Sequence, residues 1–213
     1  MAGYTPHYTY PNKSAQFEGQ PDGPKRFKDI KEASHEDYGG WWPSFFPTVV
    51  GLLVTGDHSR TNVMTVSCLS AVNAYPFMVG FPVFGGQRST RGVGPRYSLE
   101  LLKAHPEFTL NLPAIEAEMT KKIIICGSLT GRDGVDKMAK AGLTPLPSRH
   151  VAPPIIKECQ LNLECRLHSQ TFNGTHHWMV GLVEAVHLDE EIASGQKQIL
   201  WRSLFEVADP PTD

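Results

Sequence analysis

The 213-residue chain has little excess charge, few cysteines and no long apolar run, and each shortage argues against a class of protein. Charged residues make up 20% of it and the formal net charge is −2, so the sequence predicts neither a nucleic-acid nor an anionic-membrane partner. No stretch approaches the roughly 18 consecutive apolar residues of a membrane-spanning helix. The first residues, Met1 to Pro6, lack the apolar segment of a signal peptide. We therefore expect a soluble, cytoplasmic protein.

The four cysteines (Cys68, Cys126, Cys159 and Cys165) form no C-x-x-C pair and match no zinc spacing. The sequence therefore predicts no metal site, and favours buried free thiols in a reducing compartment. Cys159 and Cys165 fall in one strand-like segment, where alternation predicts that they share an apolar face. Glycine-rich nucleotide-binding motifs, zinc-protease motifs and internal repeats are also missing.

Apolar periodicity predicts a mainly β protein with helices in the middle of the chain. Predicted strands cover Thr48–Thr55, Asn62–Ser70, Phe77–Val83, Phe108–Pro113, Glu158–His168, Trp178–His187 and Ile199–Val207. Predicted helices cover Tyr97–His105, Ile115–Ile125 and Val135–Ala141, the last ended by Gly142. In Glu158–His168, alternation predicts one core face and one polar face. Hairpins such as the one at Asn173–Gly174 favour an antiparallel barrel over a βαβ fold.

The sequence divides into an N-terminal extension (residues 1–46), one domain (residues 47–207) and a short tail (residues 208–213). The extension is rich in Pro, Gly, Lys and Tyr and has no helical or strand period. Its end, Trp41–Phe46, is so aromatic that it should close a core or lie against a partner subunit. A Gly- and Arg-rich loop follows the third predicted strand.

Four sequence blocks carry the strongest functional signal. The first, Thr61–Ser70, interleaves hydroxyl and amide side chains with apolar ones. The second, from Arg96 to Pro113, opens with Arg96-Tyr97-Ser98; the third, from Cys126 to Pro145, contains Gly131-Arg132-Asp133 and Asp136-Lys137; the fourth runs from Glu158 to His187. In this order and spacing they resemble the flavin reductase-like family of FMN-binding split barrels, and within it the flavoredoxin-like branch. The resemblance covers roughly residues 47 to 205.

The resemblance implies a mainly β fold, namely an antiparallel, Greek-key type split β-barrel with helical insertions. It also implies non-covalently bound FMN, held between the two subunits of a homodimer. In this family the segment that matches Asn62–Ser70 lies along the flavin. Asn62, Thr65 and Ser67 thereby become candidate flavin ligands with Met64 packing nearby, and a plain hydroxyl-rich edge strand is the alternative.

Cys68 departs from the family pattern, because the flavoredoxin-like branch commonly has a Trp there that covers the flavin ring. The resemblance still places Cys68 beside the flavin, with less of the dimethylbenzene side covered. Trp41, Trp42 and Trp178 are candidate replacements for the missing indole.

Three further residues are candidate cofactor ligands by resemblance. Ser98 lies at the start of a predicted helix, where it can bind phosphate or act as a plain N-cap. Lys137 matches a family lysine near the phosphate, and a solvated surface lysine is the alternative. His176 matches a histidine close to the flavin, and alternation predicts that its neighbour His177 points the opposite way.

The implied activity is an NAD(P)H-dependent flavin reductase, with NADH or NADPH as the electron donor and nicotinamide and flavin as small-molecule partners. Reduced flavin would pass electrons to oxygen, iron or a partner enzyme such as a monooxygenase. No side-chain nucleophile is needed, so no catalytic residue is assigned. Arg88, Arg91 and Arg96 could clamp a nicotinamide pyrophosphate, or belong to a solvated loop. Two other functions stay open: a flavin-binding electron carrier without a nicotinamide site, and a non-redox binding module.

Overall fold

In the computed structural model, the described residues are 48–86, 94–114 and 117–195. Their strands are β1 (Val50–Gly56), β2 (Thr61–Ser67), β3 (Ser70–Ala74), β4 (Phe77–Phe84), β5 (Glu107–Leu112), β6 (Pro145–Leu146), β7 (Ile155–Ile156), β8 (Leu161–Asn173) and β9 (His176–Leu188). Their helices are α1 (Tyr97–Ala104), α2 (Ala117–Ser128), α3 (Lys137–Ala141) and α4 (Glu190–Ala193). The fold is mainly β with helices mid-chain, as the sequence predicts.

Seven of these strands form one antiparallel sheet in the order β2-β1-β5-β8-β9-β4-β3. The two edge strands, β2 and β3, follow one another in the chain and are joined by Cys68 and Leu69. β2 also contacts β4, which lies next to the other edge. The sheet therefore curls back on itself, which confirms the predicted fold class.

The sheet buries side chains on both faces near β1. Leu53 points into the curled sheet, where Phe81 and Phe108 meet edge-to-face with ring centroids 5.2 Å apart. Leu52 and Val54 point to the other face, where α2 and α3 cover them. A strand covered on both sides needs a continuous apolar run, which explains the sequence from Val49 to Val54.

The predicted strand Asn62–Ser70 is shorter in the structure, where β2 ends at Ser67; β3, which begins at Ser70, was not predicted as a strand of its own. The predicted strand breaks at Cys68, whose φ of 61° is in the left-handed region. The backbone N–H of Cys68 donates a hydrogen bond to Thr48 Oγ1. This turn carries the chain from one edge of the sheet to the other, so alternation along β2 does not continue into β3.

The alternation predicted for Glu158–His168 is wrong in two respects. Asn162 and Glu164 are buried rather than on a solvent-facing side, because the segment that follows β6 lies across them and supplies hydrogen-bond partners. Cys159 and Cys165 do not share a face: Cys165 lies inside the curled sheet and Cys159 lies in the core under α2 and α3. Cys159 precedes β8, so strand alternation does not apply to it.

Several predictions fall outside the described residues: the N-terminal extension with Trp41–Phe46, the arginines at 88 and 91, the last strand (Ile199–Val207) and the tail. The domain division likewise stays a prediction.

Across the described part of the chain, no helix combines the length and apolar character needed to cross a bilayer.

Candidate functional site

A cavity of about 490 Å³ lies where β2, the start of α1 and the end of α2 meet the loop that leads to α3. This volume is in the range of small-molecule and cofactor sites. The wall combines cationic, polar and apolar groups. The lining residues include Asn62, Met64, Arg96, Tyr97, Glu100, Cys126, Gly127, Gly131, Arg132 and Lys137.

Lys137 is the most unusual group in this wall, because its side chain is buried and carries a charge. It is 5% exposed, and among the described residues no carboxylate or hydrogen-bond acceptor pairs with its Nζ. The nearby carboxylate of Asp136 instead caps α3 by accepting from Ala139 N at 3.0 Å. Burial lowers the pKa of Lys137 to about 8; Cys126 opposes this shift and the Arg96 guanidinium adds to it. A buried cation without a partner is costly unless an anion binds to it.

Asn62 is a second buried polar group of the wall with unused bonding capacity. Its Nδ2 donates to Ser98 Oγ at 2.9 Å, whereas its Oδ1 has no hydrogen-bond partner among the described residues. Thr55 lies directly opposite Asn62 on β1, and its buried hydroxyl is likewise unpaired within the described residues. Such atoms cost about 1–3 kcal/mol each unless a bound molecule satisfies them.

Ser98 lies behind this wall. Its side chain is fully buried and accepts the hydrogen bond from Asn62. The N-cap of α1 is Arg96, with no side-chain capping bond, so the interpretation of Ser98 as the N-cap residue is wrong. The helix starts two residues earlier than that interpretation needs, which places Ser98 inside the first turn. Ser98 therefore holds Asn62 in place.

Tyr97 forms a part of the site that the sequence did not predict. Two guanidinium groups lie against its ring, with Arg60 Cζ at 4.9 Å and Arg132 Cζ at 5.4 Å from the ring centroid. Its hydroxyl is buried without a partner among the described residues. Arg132 also pairs with Glu100 and donates to Pro95 O at 3.0 Å. Tyr97 and Arg132 both belong to the sequence blocks that carry the family resemblance. Their contact, however, depends on the tertiary fold and could not be predicted from either block.

The other candidates from β2 lie away from the cavity. Asn62 and Met64 line it, whereas Thr65 is on the opposite face of the strand and donates to Ile123 O of α2 at 2.6 Å. Ser67 shares the orientation of Thr65 by alternation. Cys68, at the turn after β2, does not line the cavity either.

His176 lies at the start of β9, outside the cavity lining. Its ring contacts Phe84 with centroids 5.4 Å apart, and its Nδ1 is 2.8 Å from Thr175 Oγ1. Burial lowers its pKa, and the Arg96 guanidinium lowers it further. His177 instead contacts Gln170 and Phe172, so the two histidines have different neighbours, as alternation predicts.

Of the three tryptophans that could replace the missing family indole at the flavin, Trp178 is the one within the described residues. It packs against Gly80, where an added Cβ would lie 2.6 Å from its Cζ2, and it does not line the cavity.

Comparison with known proteins identifies the class. Residues 43–206 match the family model for the flavin reductase like domain, so the chain belongs to this family. An uncharacterized protein of Pyrococcus abyssi is 32% identical over 152 residues, which cover 71% of this chain and 80% of that protein. The resemblance inferred from the four sequence blocks is thereby confirmed.

Solved structures agree with this family. Flavoredoxin from Methanosarcina acetivorans is 26% identical with a TM-score of 0.60, covering 87% of this chain and 84% of that one. The NADH:FAD oxidoreductase of Streptomyces globisporus is 20% identical with a TM-score of 0.63, covering 85% and 95%, and it shows the fold alone. The chain is a flavin-binding redox protein of the flavin reductase-like class.

Gly131 offers a direct test of the cavity wall. A Cβ on Gly131 would lie 2.2 Å from Asn62 Oδ1, so Gly131→Ala should displace Asn62 from Ser98 and cost about 1–3 kcal/mol of folding free energy, with weaker flavin binding. Gly127→Ala is the matched control, because its Cβ would approach Thr65 no closer than 3.4 Å. Urea denaturation and flavin titration of both variants check this. Equal behaviour of the two alanines would contradict the assigned role of Asn62.

Proposed function

We propose that the chain is an NAD(P)H-dependent flavin reductase that holds FMN non-covalently in the cavity described above. The observation that carries the proposal is Lys137, a buried cation that has no anionic partner among the described residues. Bound flavin supplies the redox chemistry, since it accepts hydride from a nicotinamide and passes the electrons on.

The groups in the cavity wall fit the parts of FMN. Lys137 offers a charge to the phosphate, and a charged hydrogen bond of this kind contributes about 1.5–3 kcal/mol. Asn62 Oδ1 and the Tyr97 hydroxyl offer an acceptor and a donor to ribityl hydroxyls. Met64 offers an apolar, polarisable surface. These four residues hold and orient the cofactor.

The remaining candidates belong to the proposal as contacts beyond this cavity. We assign Ser98 to the support of Asn62, on the basis of their 2.9 Å hydrogen bond. Thr65, Ser67, Cys68 and His176 would meet the flavin where it extends beyond the cavity, or where a second subunit completes the site. None of them is assigned a proton transfer or a covalent step.

The activity is tested by mixing FMN-loaded protein with NADH or NADPH in the absence of oxygen and following the visible absorbance of oxidised flavin. Rapid bleaching, saturable in the nicotinamide, is expected. If the protein binds FMN but neither nicotinamide reduces it, the electron-carrier function applies, which the likeness to a flavoredoxin favours. If it binds no flavin at all, the non-redox binding module remains.

We further propose a homodimer. β3 is an edge strand whose five residues are all exposed and uncharged, and Tyr75 in the following turn is 95% exposed. An uncovered, uncharged edge promotes association, and a second copy of the chain would cover it. Sedimentation should therefore give a dimer at micromolar concentration, and Val72→Asp, on β3, should shift it towards monomer. A wild-type monomer that binds FMN fully would contradict the shared site.

FMN affinity should depend on pH through Lys137. The phosphate is a dianion above its second pKa, about 6, and Lys137 is protonated below its pKa of about 8. Affinity should therefore be greatest between these values and fall by up to about tenfold per unit above pH 8. The other titratable and charged groups of the wall are Cys126, Arg96, Tyr97, Arg132 and Glu100, and burial raises the pKa of Cys126 to about 11.

Riboflavin, which lacks the phosphate, should bind with little change over the same pH range. Dissociation constants for both flavins from pH 6.5 to 9.5 check this. If the dissociation constant of FMN varied with pH as little as that of riboflavin, Lys137 would not bind the phosphate.

A further inference from the structure

The Lys137 amine differs from the exposed lysines of the same region because it is enclosed in a cavity wall. Lys140, one turn away on α3, is exposed, and Lys122 donates to Gly142 O at 2.6 Å. Lys137 is 5% exposed and has neither a hydrogen bond nor an ion pair within the described part of the chain. Its Nζ is therefore enclosed with whatever molecule enters the cavity.

Such an amine can act as a nucleophile. At pH 7.5 an amine with a pKa of about 8 is about one quarter neutral, whereas an ordinary lysine is neutral in about one molecule per thousand. The Cys126 thiol in the same wall does not compete, because its pKa of about 11 keeps it protonated.

A second cation in the cavity wall, Arg96, determines which kind of electrophile would bind beside the neutral Lys137 amine. Arg96 lines the same cavity and forms no ion pair with another described residue, whereas Arg132 is paired with Glu100. If Lys137 becomes uncharged by reaction, the Arg96 guanidinium still attracts an anion, and its planar donors match a phosphate. A carbonyl compound that carries a phosphate would thus be held by Arg96 while its carbonyl carbon meets the amine.

We propose that Lys137 is a covalent binding site for small phosphorylated aldehydes, with Arg96 as the partner of the phosphate. The neutral amine attacks the aldehyde carbon, and a C–N bond forms as the C=O bond opens to a carbinolamine. The carbinolamine then loses its oxygen as water, with both protons of the original amine, and leaves a C=N bond to Nζ. Nothing is oxidised or reduced in this condensation.

The test uses pyridoxal 5′-phosphate as the probe on the full-length, flavin-free protein. After brief exposure and reduction with borohydride, the labelled lysines are identified by peptide mass spectrometry. Lys137 should be labelled at least about tenfold faster than Lys140, reflecting the larger fraction of neutral amine. Pyridoxal, which has no phosphate, should label Lys137 at least about tenfold more slowly than its phosphate ester.

Two variants sharpen the result. Arg96→Gln should remove the preference for the phosphate ester, and Lys137→Arg, which keeps the charge, should abolish labelling at this position while its circular dichroism stays that of the wild type. Equal labelling of Lys137 and Lys140, or equal rates with pyridoxal and its phosphate, would overturn the proposal. Inorganic phosphate should slow the labelling by occupying the place of the probe's phosphate.

Discussion

Lys137→Met is expected to weaken FMN binding by about 1.5–3 kcal/mol, roughly ten- to 150-fold, and to leave riboflavin binding almost unchanged. The variant removes the charge that meets the phosphate and keeps a side chain of similar length, so the wall stays filled. The difference between the two flavins isolates the phosphate, because they share the ring and the ribityl chain.

The same variant should make the flavin-free protein more stable. Lys137 has a pKa of about 8 in the fold against about 10.4 in the unfolded chain, so at neutral pH its protonated form favours unfolding. Removing the ammonium should raise the free energy of unfolding at pH 7 by about 1–3 kcal/mol. Because the folded-state pKa is lowered, wild-type stability should rise between pH 8 and about 10, and the variant should lack this rise.

Lys140→Met is the matched control, since Lys140 lies on the same helix and is exposed. It should change neither FMN affinity nor stability by more than about 0.5 kcal/mol. Isothermal titration and urea denaturation measure both quantities. Equal effects of the two substitutions on FMN affinity would show that Lys137 does not meet the phosphate.

Glu164→Ala is expected to destabilise the fold by about 3–5 kcal/mol while leaving flavin affinity intact. The Glu164 carboxylate is fully buried and accepts from Arg149 N at 2.9 Å, from His150 N at 2.6 Å and from His187 Nε2 at 2.6 Å. Alanine leaves these donors without an acceptor. Glu164 does not line the cavity, so its effect should be on stability alone.

The stability of the wild-type fold should fall at acidic pH because of Glu164. Burial raises the pKa of Glu164, but the hydrogen bonds from Arg149, His187 and His150 outweigh it and lower the pKa overall. The contribution of Glu164 to stability is therefore present above its unfolded pKa, about 4.3, and is lost as pH falls from there through the folded pKa.

Glu158→Ala is the comparison for Glu164, because Glu158 also accepts from a backbone N–H, that of Thr144, but is partly exposed. It should cost about 1 kcal/mol or less. Urea denaturation between pH 3 and 7 separates the two variants. A Glu164→Ala protein as stable as Glu158→Ala would contradict the anchoring role of the buried carboxylate.

The strands that bury one or two apolar faces were predictable because local periodicity determines them. β1, β4 and β5 follow from runs of apolar residues, and the left-handed Gly142 (φ 62°) ends α3 as expected. The turn at Cys68 was not predictable from the sequence. A cysteine in the left-handed region has no local sequence signal, and Cys68 continues the strand-like pattern that precedes it. Because this turn was missed, the predicted strand ran past the end of β2 to Ser70, and β3 was not predicted as a strand of its own.

The burial of polar groups depends on contacts between distant segments. Asn162 and Glu164 occupy positions that alternation assigns to solvent, and they are covered by a segment that the sequence describes as loop. A register shift between Glu164 and Cys165 further disturbs the alternation in β8. Period-2 reasoning fails there because partners from another segment, and not water, satisfy the polar side chains.

The candidate site was predictable in part. Asn62, Met64 and Lys137 come from separate sequence blocks and line one cavity, with Ser98 behind it. Thr65 was assigned to the same group although alternation from Asn62 already places it on the other face of β2. The contacts of Tyr97 with Arg60 and Arg132 join three distant positions, which no single segment reveals.

The most direct test of the account is a titration of FMN and riboflavin into flavin-free wild-type protein, followed by flavin fluorescence. We expect FMN to be bound with a dissociation constant of about 1 μM or tighter, and riboflavin to be bound at least about tenfold more weakly because it cannot pair with Lys137. No change in fluorescence at tens of micromolar FMN, or equal affinity for the two flavins, would contradict the assignment of this cavity to the FMN phosphate.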